Sequence, residues 1–119
     1  MRRYGLIGRK LDHSFSKSYF MHKFANEKID AMYELYPLGE ISDFKILVNS
    51  DQRIYGLNVT IPYKQSVIPY LDKLSEEVVS IGAVNCIAIR NGVLYGYNTD
   101  IEGIAATLNT LDIAPDTQA

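Results

Sequence analysis

Apolar residues fall along the chain in short runs that stop at glycine, proline or small polar residues, and the runs switch between two spacings. Tyr4-Gly5-Leu6-Ile7-Gly8 is a compact apolar run of the kind a short buried strand shows. Beyond a polar loop, Tyr19, Phe20, Phe24 and Ala25 recur at helical spacing, which predicts a helix from Ser16 to about Lys28. From Ala31 to Leu38 apolar and polar residues mix as in a strand, with Pro37 and Gly39 ending it. A helix over about Ile41 to Val48 follows, then a strand from Ile54 to Ile61. Pro62 suits the first position of a helix running to about Ile68. Ser75 can cap a short helix to Ile81, which Gly82 can end.

The most local signal comes next. Ala83 to Arg90 and Val93 to Tyr97 flank Asn91-Gly92, and a two-residue Asn-Gly loop suits the type I′ turn of a hairpin. Thr99-Asp100-Ile101-Glu102 then fits a capping box at the start of a last helix, with Ile101, Ile104, Ala105, Leu108 and Leu111 on its apolar side. Strands alternating with helices, plus one antiparallel hairpin, predict a three-layer α/β/α domain with a mostly parallel mixed sheet. No internal repeat or low-complexity tract interrupts the pattern.

At 119 residues the chain is one domain, long enough to bury roughly two-thirds of its unfolded surface. A net charge of −2 with scattered lysines and arginines provides no basic field for nucleic acid. No apolar run approaches the ~20 residues that span a bilayer, and Met1-Arg2-Arg3-Tyr4 leads into a strand without a signal-peptide core. A cytoplasmic protein is expected. Cys86 is the only cysteine, which excludes an internal disulfide and a multi-cysteine metal site, and its strand context predicts a small buried side chain.

Chemistry concentrates at three strand-to-helix junctions, the edge where ligands of open α/β sheets collect. In His13-Ser14-Phe15-Ser16-Lys17-Ser18 the hydroxyls of Ser14 and Ser16 can bind a carboxylate together with helix amides, or serve as a cap and a loop serine. His13 and His22 have no partners at metal-ligand spacing. In the second junction, Asn58-Val59-Thr60-Ile61-Pro62-Tyr63-Lys64, Asn58 and Thr60 share a strand face, which suits a polyhydroxylated ligand. Asn58-Val59-Thr60 also spells a glycosylation sequon, without consequence in the cytoplasm. Lys64 sits in the first turn of the predicted helix, where a cation is disfavoured, and is a candidate proton carrier. The plainer alternative is a solvated surface lysine. The third group is Asn85 with Asp100. As a carboxylate at a helix start, Asp100 can act as a simple capping anion.

Should these junctions open on one cleft, Lys64 and Asp100 form a pair. Oxidising a secondary alcohol sends a hydride from carbon and a proton to a base, a task for a lysine oriented by a carboxylate. A hydride acceptor is then required, yet the chain has no Gly-x-Gly-x-x-Gly loop after a strand. It also lacks a Gly-x-x-x-x-Gly-Lys phosphate loop and a Gly-x-Ser-x-Gly elbow.

Five motifs in order give the chain a family resemblance: Tyr4-Gly5-Leu6-Ile7-Gly8, His13-Ser14-Phe15-Ser16, Asn58 to Lys64, Ile81-Gly82-Ala83-Val84-Asn85, and Gly96-Tyr97-Asn98-Thr99-Asp100. Across nearly all its length the sequence resembles the N-terminal substrate-binding domain of the shikimate dehydrogenase family. The resemblance implies an NADP-dependent enzyme interconverting 3-dehydroshikimate and shikimate in aromatic amino-acid biosynthesis, the chorismate pathway, with no metal. It implies Ser14 and Ser16 as hydroxyls for the substrate carboxylate, and Asn58, Thr60, Asn85 and Asp100 as groups for the ring hydroxyls. Lys64 corresponds to the catalytic lysine with Asp100 as its partner, and Glu76 to an acidic residue that some members carry near the nucleotide.

Departures are few. Lys17 stands where the family usually has proline, and Cys86 where it usually has threonine. Members also carry a second, Rossmann-type domain for NADP, so residues 1–119 resemble the substrate-binding domain alone, expected to fold and to be inactive by itself. A quinate/shikimate dehydrogenase and a free-standing binding module for a small hydroxy acid are the alternatives. Two serines at the carboxylate site favour shikimate over quinate, and a homodimer remains open.

Overall fold

A computed structural model describes residues 2–11 and 15–98, the side chains of Phe15 and Ser16 excepted. Its strands are β1 (Arg2–Gly8), β2 (Ala31–Pro37), β3 (Ile54–Val59), β4 (Lys73–Leu74), β5 (Cys86–Arg90) and β6 (Val93–Tyr97). They form one sheet in the order β2-β1-β3-β5-β6-β4. The helices are α1 (Phe15–Asn26), α2 (Asp43–Ser50), α3 (Tyr63–Ser66) and α4 (Glu76–Ile81), with a 3₁₀ turn over Ile68–Tyr70. β1 runs parallel to β2 and β3, and β4 runs parallel to β6.

Alternation along the strands divides the core into two layers. On one face Tyr4, Leu6, Ala31, Tyr33 and Cys86 pack with Phe20 and Phe24 of α1. On the other, Ile7, Leu57, Val59, Ile87 and Leu94 meet Phe44 of α2, Tyr63 of α3, Val67 and Val78 of α4. A register shift between Arg3 and Tyr4, where β3 carries one extra residue, puts Ile54 on the same face as Leu57 and Val59 and Tyr55 on the other. The three-layer mixed α/β architecture expected from the sequence is therefore present.

Local signals act as their chemistry predicts. Ser75 caps α4, its hydroxyl accepting the Val78 amide at 3.3 Å, and Gly82 ends it at φ +80°, a conformation that glycine adopts without a Cβ penalty. Asn91 and Gly92 both have positive φ, +52° and +78°, as the type I′ hairpin turn requires.

Four details differ from the pattern-based reading. The hairpin is not alone in being antiparallel, because β5 also pairs antiparallel with β3. β4 is a two-residue strand with no alternation to reveal it. Helix α3 is a single turn before the 3₁₀ segment, and Pro62 occupies its N-cap after a cis Ile61–Pro62 bond rather than its first helical position. Ala25 is exposed, since α1 turns only its Phe20 and Phe24 stripe fully inward. The last predicted helix, from Thr99, lies outside the described residues.

Candidate functional site

The strand register places one row of residues across the sheet. Gly8 faces Pro37, Ile7 faces Val59, Asn58 faces Cys86, and Cys86 faces Tyr97. The row is the carboxyl edge of β1, β2, β3 and β6, where β5 begins. Asn58, Thr60, Lys64 and Asn85 all lie in or just beyond it, so sequence-distant groups share one rim.

Backbone hydrogen bonds hold this rim together past the strands. Thr60 donates its amide to Ile7 O at 3.0 Å, and Tyr63 donates to Thr60 O at 3.1 Å, which folds the chain directly from β3 into α3. Asn85 bridges two strands, its carbonyl accepting Val59 N at 2.9 Å and its amide donating to Tyr97 O at 3.0 Å. Lys64 O accepts Val84 N at 2.7 Å, and Ala83 O accepts the Asn98 side chain at 2.8 Å. The second and third junctions are thus joined through Ala83-Val84-Asn85. Asn98 places the chain two positions before Asp100 beside that same segment.

Asn58 is the one buried polar residue among the core side chains described, 5% exposed. Its Nδ2 donates to Tyr33 Oη at 2.6 Å, while its Oδ1 is buried without a partner among the described residues. Thr60 and Lys64 are half-buried, as is Asn85. Tyr63 anchors α3 from below by donating its hydroxyl to Leu38 O, and the Arg9 guanidinium lies 5.8 Å from the Tyr63 ring centroid.

The helix dipole at Lys64 is weak, because α3 is only one turn long, so the expected disfavour of a cation there is small. What remains is placement: a cation held at the rim by its own backbone. Ser14 and Asp100 lie outside the described residues, as does the side chain of Ser16. Glu76 is exposed in the first turn of α4 next to Glu77. Two carboxylates there repel phosphate, and the described residues form no phosphate cradle, so they do not by themselves fit a nucleotide cofactor.

Cys86 lies directly under the rim, fully buried, and burial pushes its thiol up to about 12. Among the described residues no group of three or more His, Cys, Asp or Glu side chains is arranged to hold a metal. Among them, too, no helix is long and apolar enough to cross a membrane. A broad depression of about 840 Å³ opens at the opposite sheet edge, between Arg2, Lys45, Tyr70 and Arg90. It contains none of the sequence-predicted site residues.

Sequence reasoning missed Tyr33, Gly8 and Asn98. Nothing in a strand pattern marks Tyr33 as the partner of a residue on β3. Asn98, by contrast, lies within the last of the family-like motifs.

The pattern of the shikimate dehydrogenase substrate binding domain matches residues 6–87. The chain belongs to that family. A shikimate dehydrogenase (NADP(+)) of Clostridium beijerinckii is 45% identical over 119 residues, covering 95% of this chain and 42% of the relative. Shikimate dehydrogenase 1 of Peptoclostridium difficile superposes with a TM-score of 0.80 at 37% identity, over 95% of this chain and 43% of that one. Shikimate 5-dehydrogenase of Listeria monocytogenes, solved in complex with shikimate and NAD, gives a TM-score of 0.77 at 32% identity, over 96% of this chain and 39% of its own. The chain spans about two-fifths of the length of the curated relatives it matches. Within this shikimate dehydrogenase substrate-binding domain, the mixed sheet is the shared framework.

Proposed function

We propose that this domain is the substrate-binding part of an NADP-dependent shikimate dehydrogenase that interconverts 3-dehydroshikimate and shikimate in the cytoplasm. The observation that carries the reading is the tie between Lys64 O and Val84 N, which brings the lysine-bearing junction against the Asn85 junction at one sheet edge. Small polyols need several polar groups converging from different elements, and this rim supplies them.

In this reading Ser14 and Ser16 bind the substrate carboxylate, and Asn58, Thr60, Asn85 and Asp100 hold the ring hydroxyls. Lys64 gives a proton to the carbonyl oxygen as that carbon is reduced and takes it back in the reverse direction, with Asp100 orienting its ammonium. NADP is the hydride partner and is held mainly by residues other than those described, with Glu76 as an acidic neighbour. The 119-residue chain by itself binds substrate without turning it over.

Titration of shikimate into the chain, followed by backbone and side-chain amide NMR, tests the reading. Expected are shifts concentrated at Asn58, Thr60, Lys64 and Asn85. Shifts confined to the opposite edge around Arg2 and Arg90, or none at millimolar shikimate, contradict it.

A further inference from the structure

We propose that Tyr33 is a positioning residue that fixes the Asn58 amide so that its carbonyl oxygen faces a ring hydroxyl of the substrate, an inference that rests on the function proposed above. The terminal torsion of an asparagine is soft and roughly two-fold, so a buried amide presents a defined acceptor only when something holds its nitrogen. Tyr33 Oη does so at 2.6 Å.

Tyr33 is itself immobilised. Its ring is 1% exposed and stacks on Phe20 of α1 with centroids 5.0 Å apart and planes 10° apart. Its amide points at Met21 Sδ, 3.3 Å away. The phenol oxygen therefore stands at a place set by α1 and β2, and it hands that rigidity to β3 through one hydrogen bond.

Asn58 Oδ1 is buried and has no partner among the described residues, a costly state for a carbonyl unless a donor arrives. Asn58 lies at the rim, in the row with Cys86 and Tyr97 and two positions before Thr60, so a bound polyol can supply that donor. With one Nδ2 hydrogen held by Tyr33, the orientation of the amide is set and Oδ1 is the acceptor left without a partner among the described residues. A ring hydroxyl that donates to Oδ1 satisfies it.

Tyr33→Phe tests this in the full-length enzyme, since the phenyl ring keeps the stack on Phe20 and loses only the oxygen. The expected result is a KM for shikimate raised about fivefold, the size of one net hydrogen bond, with kcat within about twofold of wild type. In an Asn58→Ala background the same substitution should add nothing further. An unchanged KM, or an equal rise in both backgrounds, overturns the positioning role and leaves the proposed function standing. Failure of the wild-type enzyme to turn over shikimate overturns both. Should Tyr33→Phe not fold, the Asn58 side-chain amide decides the matter in wild type by NMR. Slow hydrogen exchange, retained as shikimate is added, is expected, and fast exchange in the free and bound protein overturns the proposal.

Discussion

Gly8 and Thr60 meet across the β1–β3 boundary so closely that a Cβ on Gly8 would stand 2.5 Å from Thr60 Cγ2, and 2.9 Å from Leu11 Cδ2. The glycine is thus required by space, not by backbone angle. Its missing side chain lets Thr60 lie over the end of β1, where the threonine amide reaches Ile7 O.

Gly8→Ala should therefore act on the site through Thr60. Overpacking of this kind costs about 1–3 kcal/mol, with the end of the Leu11 side chain free to give way more readily than β-branched Thr60. Shikimate affinity should fall severalfold while the fold persists, as read by NMR titration beside a thermal melt. Unchanged affinity would show that Thr60 does not contact the ligand.

Asp51 predicts an acid sensitivity at the other end of the sheet. Its carboxylate accepts the Arg53 amide at 2.9 Å, pairs with Arg53 Nε at 3.3 Å and with Arg3 at 3.1 Å. The Arg53 backbone bond first, with help from both guanidiniums, holds its pKa below the ordinary 3.8. A depressed carboxylate stabilises the fold fully above the unfolded value and ceases to do so as pH falls through the lower folded one. Solvent screening limits the effect to about 0.5–1 kcal/mol. Asp51→Ala should lower the melting temperature at neutral pH, and its curve should converge with wild type as pH drops below the carboxylate range. A constant gap across pH would assign the loss to packing.

Much of this fold is written in short-range signals. Ser75 and Gly82 bound α4, Asn91-Gly92 turns the hairpin, and the apolar run at Tyr4 to Gly8 makes β1, each because the determinant is a neighbour in sequence. What could not be read there is non-local. The antiparallel pairing of β3 with β5 depends on how the sheet assembles, and β4 has two exposed residues and no period of its own. The site divides in the same way. Asn58, Thr60 and Asn85 are legible as polar residues near strand ends and Lys64 as a lysine at a helix start, whereas Tyr33 reaches Asn58 only through a hydroxyl delivered from another strand and Gly8 bears on Thr60 only through an atom it lacks.

Cys86 should behave as core. With its thiol fully buried and pushed up to about 12 by burial, it should resist a thiol-specific reagent at pH 8 in the folded chain and react promptly once urea exposes it. Rapid labelling of the native protein would mean that the rim above it opens far more often than its hydrogen bonds suggest.

Lys64 carries the chemistry in this account, so the kinetics of Lys64→Ala in the full-length enzyme is the most direct measurement. A group that acts on the proton in the transition state should, when removed, cut kcat by at least about a hundredfold while KM for shikimate stays within about threefold. Near-normal kcat in that variant would contradict the assignment and return Lys64 to the role of a rim cation.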